Sequence, residues 1–182
     1  MKKKYLTFRL EFILSLSNHS RQVLTLILTL ILTLFLFNCG CNALPKPKPQ
    51  PRFISTNNNY SEEGLSEKVK KLEEVKKFSS TYTTKESQGL RDKMENQLLG
   101  QLEKEKEKPD EIRDIFSSIH PSPTWPKALP SYIEKAKFEN KDCWIIVENW
   151  GTSEDEKLIR IRIWVFEQNT LQVLFAQSLI LK

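Results

Sequence analysis

From Val23 to Phe37 the chain runs for 15 residues without an ionisable side chain, and between Phe37 and Leu44 the only titratable groups are the thiols of Cys39 and Cys41. A segment that is apolar all round has no wet face, so it must be buried in protein or in hydrocarbon. Hydrocarbon suits it, because a charge at the bilayer centre costs about 2.5 kcal/mol or more on insertion scales. Lys2, Lys3, Lys4, Arg9 and Arg21 precede the run, and basic residues on this flank stay on the cytoplasmic side. Everything after the run is then expected outside. The 15 residues are the long end of a signal-peptide core. Extended to Leu44, the run approaches the ~20 residues of a spanning helix. A cleaved leader and an uncleaved anchor both fit.

Leu36-Phe37-Asn38-Cys39 resembles the lipobox of bacterial lipoproteins, in which a type II signal peptide is cut just before a lipid-modified cysteine. Leu36 matches the family pattern three residues before the cysteine. Phe37 and Asn38 depart from it, since small residues are usual there. The resemblance covers the leader alone. It implies lipid attachment, palmitate included, at Cys39, a signal peptide or membrane anchor over residues 1–38, and a place in the bacterial cell envelope with the domain outside the cytoplasm. The alternative is a single-span anchored accessory subunit of a membrane complex.

The formal charge of +5 comes mostly from the leader. Removing its five basic residues and Glu11 from the 28 Lys/Arg and 23 Asp/Glu leaves 23 and 22. The remainder has no excess charge with which to neutralise phosphates, so nucleic acid is not expected as a partner. Three cysteines do not make a disulfide scaffold. Cys143, on an apolar stretch, reads as a buried free thiol.

Alternating Pro and Lys from Pro45 to Pro51 favour an extended spacer, and residues 39–60 read as a tether. Residues 61–108 are charged and helix-prone. Leu65, Val69, Leu72, Val75 and Phe78 share one helical face, and Leu90, Met94, Leu98 and Leu102 share another. Gly89 and Gly100 weaken helix continuity, so a helical hairpin or solvated stalk is expected. In residues 109–182, a short helix with the stripe Ile112, Ile115, Phe116 and Ile119 precedes three apolar strands. These are Cys143–Val147, Leu158–Phe166 and Leu171–Leu181, joined by short polar connections in an antiparallel meander. The expected class is α+β: membrane leader, Pro-rich tether, two to three amphipathic helices, then a sheet of about three strands covered on one face.

The sequence offers little catalytic chemistry. After the leader, His120 is the one histidine, in a Pro-rich turn without a nucleophile motif, and reads as an exposed or capping residue. His and Cys lack zinc spacing, and five Gly form no phosphate-cradling loop. Neither metal nor cofactor is expected, nor catalytic residues. An envelope hydrolase would have to use His120. The candidate ligand face is the strand stripe Arg160, Arg162 and Trp164, with Trp144 nearby, since arginine beside aromatics suits an envelope protein or glycan. The competing reading packs Trp164 and Phe166 under helices and pairs the arginines with the acidic connection at 154–156.

Overall fold

The computed structural model describes residues 22–23, 25–27, 29–30, 47–120 and 127–181. The chain divides into two compact units, Met1–Pro47 and Lys48–Lys182. In the first, the described residues between Gln22 and Leu30 are helical. Among the described residues no helix is long and apolar enough to cross a membrane. Cys39 and the lipobox lie outside the described residues.

The second unit opens with strand β1 (Arg52–Tyr60) and continues through four helices: α1 (Glu62–Lys71), α2 (Glu73–Thr81), α3 (Thr84–Lys104) and α4 (Pro109–Ile119). Strands β2 (Lys127–Phe138), β3 (Lys141–Gly151), β4 (Arg160–Glu167) and β5 (Val173–Ile180) complete it. The five strands form one sheet in the order β1-β2-β3-β4-β5. β1 runs parallel to β2 and the other neighbours are antiparallel. The α+β composition fits the sequence reading, but the three-strand meander does not: the sheet is mixed and five-stranded.

Local chemistry sets the element ends. The Ser61 hydroxyl accepts from the Gly64 N–H at the start of α1. Thr83 and Glu86 form a capping box at the start of α3, satisfying two of the amides a helix start leaves open. Glu139 and Asn140, both with positive φ, turn β2 into β3, as a two-residue hairpin with right-handed strand twist requires.

Successive strand residues point to opposite faces, and here both faces are covered. On one, Leu65 and Val69 of α1 and Val75 of α2 pack on Tyr132, Ala136, Ile145, Val147, Ile161, Ile163 and Val165. On the other, Leu98, Leu99 and Leu102 of α3 and Ile112, Ile115 and Phe116 of α4 pack on Phe53, Ile133, Trp144, Ile146 and Phe166. Residues 61–108 are therefore two helical layers around the sheet rather than a solvated stalk. Double coverage explains why Cys143–Val147 is apolar without alternation.

Two strands escaped the sequence reading. Arg52–Tyr60 was assigned to the tether, yet it is β1. The Pro-rich approach is pinned as well: Tyr82 Oη donates to the Pro49 carbonyl (2.7 Å) and Gln101 Nε2 to that of Pro51 (2.9 Å). β2 contains Pro130, which argues against a central strand. The structure places Pro130 at a register shift in the β2–β3 pairing, where a missing N–H is tolerated. β2 also buries Glu134, whose carboxylate meets Lys68 Nζ (2.5 Å), Thr56 Oγ1 (2.7 Å), Tyr60 Oη (3.0 Å) and Tyr132 Oη (2.9 Å).

The chain changes face between α2 and α3. There Thr84 N–H donates to the Glu156 carbonyl (3.1 Å) and its hydroxyl to that of Asp155 (2.7 Å). Gly151 permits this approach: a Cβ at that position would lie 2.5 Å from Thr84 Cγ2 and 3.0 Å from the Lys157 carbonyl oxygen.

Two pairs of variants test this packing. Gly151→Ala should cost about 1–3 kcal/mol by overpacking, with partial recovery when Thr84→Ser removes the opposing methyl and keeps the hydroxyl. Ile161 is fully buried, so Ile161→Ala should cost about 2–5 kcal/mol, while Arg160→Ala, half-buried on the opposite face, should cost much less. Urea unfolding of the four variants checks both, and equal losses for Ile161→Ala and Arg160→Ala would contradict the face assignment.

Candidate functional site

β3 and β4 together build a polar and aromatic patch on the face shared with α3 and α4. Alternation puts Glu148 and Trp150 of β3 on that face, opposite Arg162 and Arg160 of β4. The Arg162 guanidinium carbon lies 4.7 Å from the Trp150 ring centroid and 5.6 Å from that of Trp164. Arg160 lies 5.4 Å from the Trp150 ring, and its Nε donates to Asp155 Oδ2 at 3.0 Å. Asp155 also accepts from the Thr152 amide and hydroxyl. The Thr152 amide and Arg160 hold its carboxyl below the usual aspartate range. Arg162 is half-buried and has no salt bridge among the described residues, so its charge is balanced by indole faces and by nearby Glu148.

Of the residues expected to form a ligand face, Arg160, Arg162 and Trp164 thus do come together. Trp144 does not join them. It is buried beneath α4, with Nε1 donating to Glu111 Oε2 at 2.9 Å. Trp150, not singled out from the sequence, takes its place. Phe166 is buried, and Arg160 meets the acidic connection through Asp155.

Beneath the arginines lies a buried ion-pair cluster that sequence reasoning missed. Trp164 Nε1 donates to Glu148 Oε2 at 3.0 Å, and Glu148 Oε1 lies 2.6 Å from His120 Nε2. His120 Nδ1 is 3.4 Å from Glu95 Oε1. The two His120 contacts are ion-pair distances without the alignment of good hydrogen bonds. His120 ends α4, and its ring stacks on Phe116 with 10° between the planes. Its side chain is 5% exposed and that of Glu148 is wholly buried, so the reading of His120 as an exposed residue is corrected. It terminates α4, but inside the protein. Above the cluster, Gln88, Arg91, Asp92, Glu95 and Arg113 line a cleft of about 700 Å³ between α3 and α4.

Burial alone would lower the His120 pKa. The carboxylates of Glu148 and Glu95 outweigh it and push the imidazole up to about 9. Burial would likewise raise Glu148, but His120, Trp164 and Arg162 hold it below the usual range. At neutral pH the pair is therefore imidazolium and carboxylate. An imidazole already protonated is no general base. Cys143 lies on the other face, buried, with its thiol pushed up to about 12, chiefly by burial. A thiol is nucleophilic only as thiolate. Among the described residues no cluster of His, Cys, Asp and Glu has metal-holding geometry. The arrangement locks α3, α4 and β3 together and carries two stacked arginines above.

One sequence signal pointed to the cluster: Glu148 interrupts the apolar run Cys143–Val147 at its end. A charge in a strand covered on both faces needs a cation, and nothing in the sequence pairs it with His120, 28 positions earlier.

The folded protein keeps the His120 proton to about pH 9, whereas an unfolded chain releases it near 6.5. The stability it contributes is full below pH 6.5 and is lost as pH rises towards 9. The contribution of Glu148 has the opposite sense: it is present above the usual carboxylate range and lost on acidification. Melting temperature should therefore fall between pH 6.5 and 9. His120→Gln should flatten that slope and cost about 3–5 kcal/mol by leaving Glu148 unpaired. Adding Glu148→Gln should restore much of the loss. Denaturation across pH for the single and double variants measures this.

No family model, curated protein or solved structure matches this chain.

Proposed function

We propose that this protein is a lipoprotein of the bacterial cell envelope, anchored at Cys39, whose folded unit has a structural or protein-interaction role outside the cytoplasm. The interaction role is carried by one observation: Arg162 stands between the indoles of Trp150 and Trp164, without a salt bridge among the described residues. Arginine and tryptophan are the residues that dominate binding hot spots. A cation braced by two π faces suits a carboxylate on a protein surface or an acidic glycan.

The anchor is supported by the charge-free run, by Leu36 and by the spacer. Among the described residues, Lys48 is tied to the folded unit, its Nζ pairing with Glu86 at 3.0 Å. Eight residues separate Cys39 from Lys48. Fully extended chain covers at most ~3.5 Å per residue, so lipidation at Cys39 would hold Lys48 within about 30 Å of the membrane. The role fits a partner at or near the bilayer better than one across the envelope.

Palmitate labelling with mass analysis of the mature amino terminus tests the anchor. The mature chain should begin at a lipidated Cys39, and Cys39→Ala should abolish labelling and leave the precursor uncut. A mature terminus that still begins at Met1 overturns it in favour of an uncleaved single-span anchor.

A further inference from the structure

The two edges of the sheet are treated differently. Edge strands expose unpaired backbone groups, and proteins blunt them with bulges, charges or covering side chains. β1 is blunted. The Phe53 N–H donates to Gln101 Oε1 at 2.8 Å, the register shifts between Ser55 and Asn59, and Arg52 and three asparagines line the strand. β5 has a register shift only at its start, opposite Val165 and Phe166, and from Phe175 to Ile180 it pairs regularly. From Gln168 to Leu181 the chain carries no charged residue and no proline, in a protein of which 28% is charged.

The register shows which β5 groups are open. Leu181 N–H donates to the Ile159 carbonyl (2.8 Å), and the pairs Leu179–Ile161 and Gln177–Ile163 follow in step. In an antiparallel ladder alternate residues turn both backbone groups to the same neighbour. Gln177, Leu179 and Leu181 therefore face β4, while Ala176, Ser178 and Ile180 turn their N–H and C=O outwards. The side chains of those three are exposed, Ile180 to 60%. Among the described residues the strand thus presents a row of open backbone donors and acceptors flanked by small or apolar side chains.

We propose that β5 is a homodimerisation edge, pairing antiparallel with β5 of a second copy about a two-fold axis near Gln177 to give one continuous ten-stranded sheet. Like strand meets like strand without charge repulsion, because neither copy brings a charge. The antiparallel sense follows from the lysines. Lys70, Lys76 and Lys157 gather round a groove with Ile159, Ile180 and Leu181 at the carboxyl end of β5. An antiparallel pair sets the two lysine groups at opposite ends, roughly 25 Å apart over eight residues. A parallel pair would bring them together. Around the axis the small residues Ala176 and Ser178 oppose each other, so nothing bulky obstructs backbone pairing. This inference rests on the sheet edge and is independent of the anchoring at Cys39.

Sedimentation of the full-length chain in density-matched detergent, with residue-resolved hydrogen exchange, tests it. The wild type should be dimeric. The amides of Ala176 and Ser178 should gain protection as protein concentration rises, while those of Gln177 and Leu179 are protected throughout. Ser178→Pro removes an outward N–H without touching the β4 ladder, and Ala176→Lys sets like charges beside the axis. Each should raise the dimer dissociation constant about tenfold or more, while the circular dichroism of the monomer is unchanged. A monomer at all concentrations overturns the proposal. So does a dimer that survives both variants, since the contact would then lie elsewhere in the chain.

Discussion

Strand β3 is buried on both faces, and most of the architecture follows from that. Its run Cys143–Val147 offers no polar side to water, so helices must cover it above and below. Four described helices of the second unit precede β2 and are divided two and two between the faces. That division requires a crossing point, and Thr83–Thr84 supplies it at the connected end of the β3–β4 hairpin, over a residue with no side chain, Gly151. Phe78, Tyr82, Met94, Leu129 and Leu158 close the sheet at that end. The crossing is therefore itself packed.

Each helical layer is also fixed by one buried carboxylate. Glu134 of β2 faces the α1–α2 layer and takes its cation, Lys68, from α1. Glu148 of β3 faces the α3–α4 layer and takes His120 from the end of α4. Buried ion pairs add little net stability, because desolvation offsets the attraction, but an unpaired buried charge is costly. The consequence here is selection among arrangements. A layer docked on the wrong face, or slid by one helical turn, would leave a carboxylate in the interior without its cation. Lys68 is braced further, over the rings of Tyr60 and Tyr132 at 4.5 and 5.7 Å. Glu134 accordingly stays ionised despite its burial.

The parts of this fold legible in the sequence are those whose periodicity is local. The stripe of α4 and the alternation in β4 need only neighbouring residues to be read. β1 and β2 were illegible because their evidence is distant. Arg52–Tyr60 is rich in asparagine and extends a spacer. It becomes a strand because β2 offers a partner some 80 positions later. β2 carries Pro130, Glu134, Lys135 and Lys137, each of which argues against a central strand until the shifted register and the pairs with Lys68, Glu107 and Asp142 are seen. The candidate site divides in the same way. Arg160, Arg162 and Trp164 are two residues apart on one strand, so their shared face was readable. Trp150, Glu148, Glu95 and His120 come from three other elements, and only the tertiary fold assembles them. The same limit applied to coverage of the sheet: one face was expected to be covered because a second helical layer could not be told from a stalk.

The order of elements explains where the unsatisfied chemistry gathers. All four described helices of this unit have been used before β2 begins, and β3, β4 and β5 are then added by hairpins, with no further helix among the described residues after them. The α3–α4 layer reaches Phe166 and part of Trp164. Beyond it, on the same face, lie Arg160 and Arg162, half-buried, and then Ala176, Ser178 and Ile180, exposed. The stacked arginines and the open edge of β5 are therefore two results of a single topological fact: the sheet grows outward past its helical cover. Growth in that direction also leaves β5 with nothing beyond it among the described residues, while β1, the first strand, is met by Gln101 at Phe53 and by Asn140 at Asn59. A surface left over in this way would ordinarily be diluted with charge. Here arginine is held against tryptophan and the last strand carries no charge at all, a composition that favours contact with another surface over contact with water.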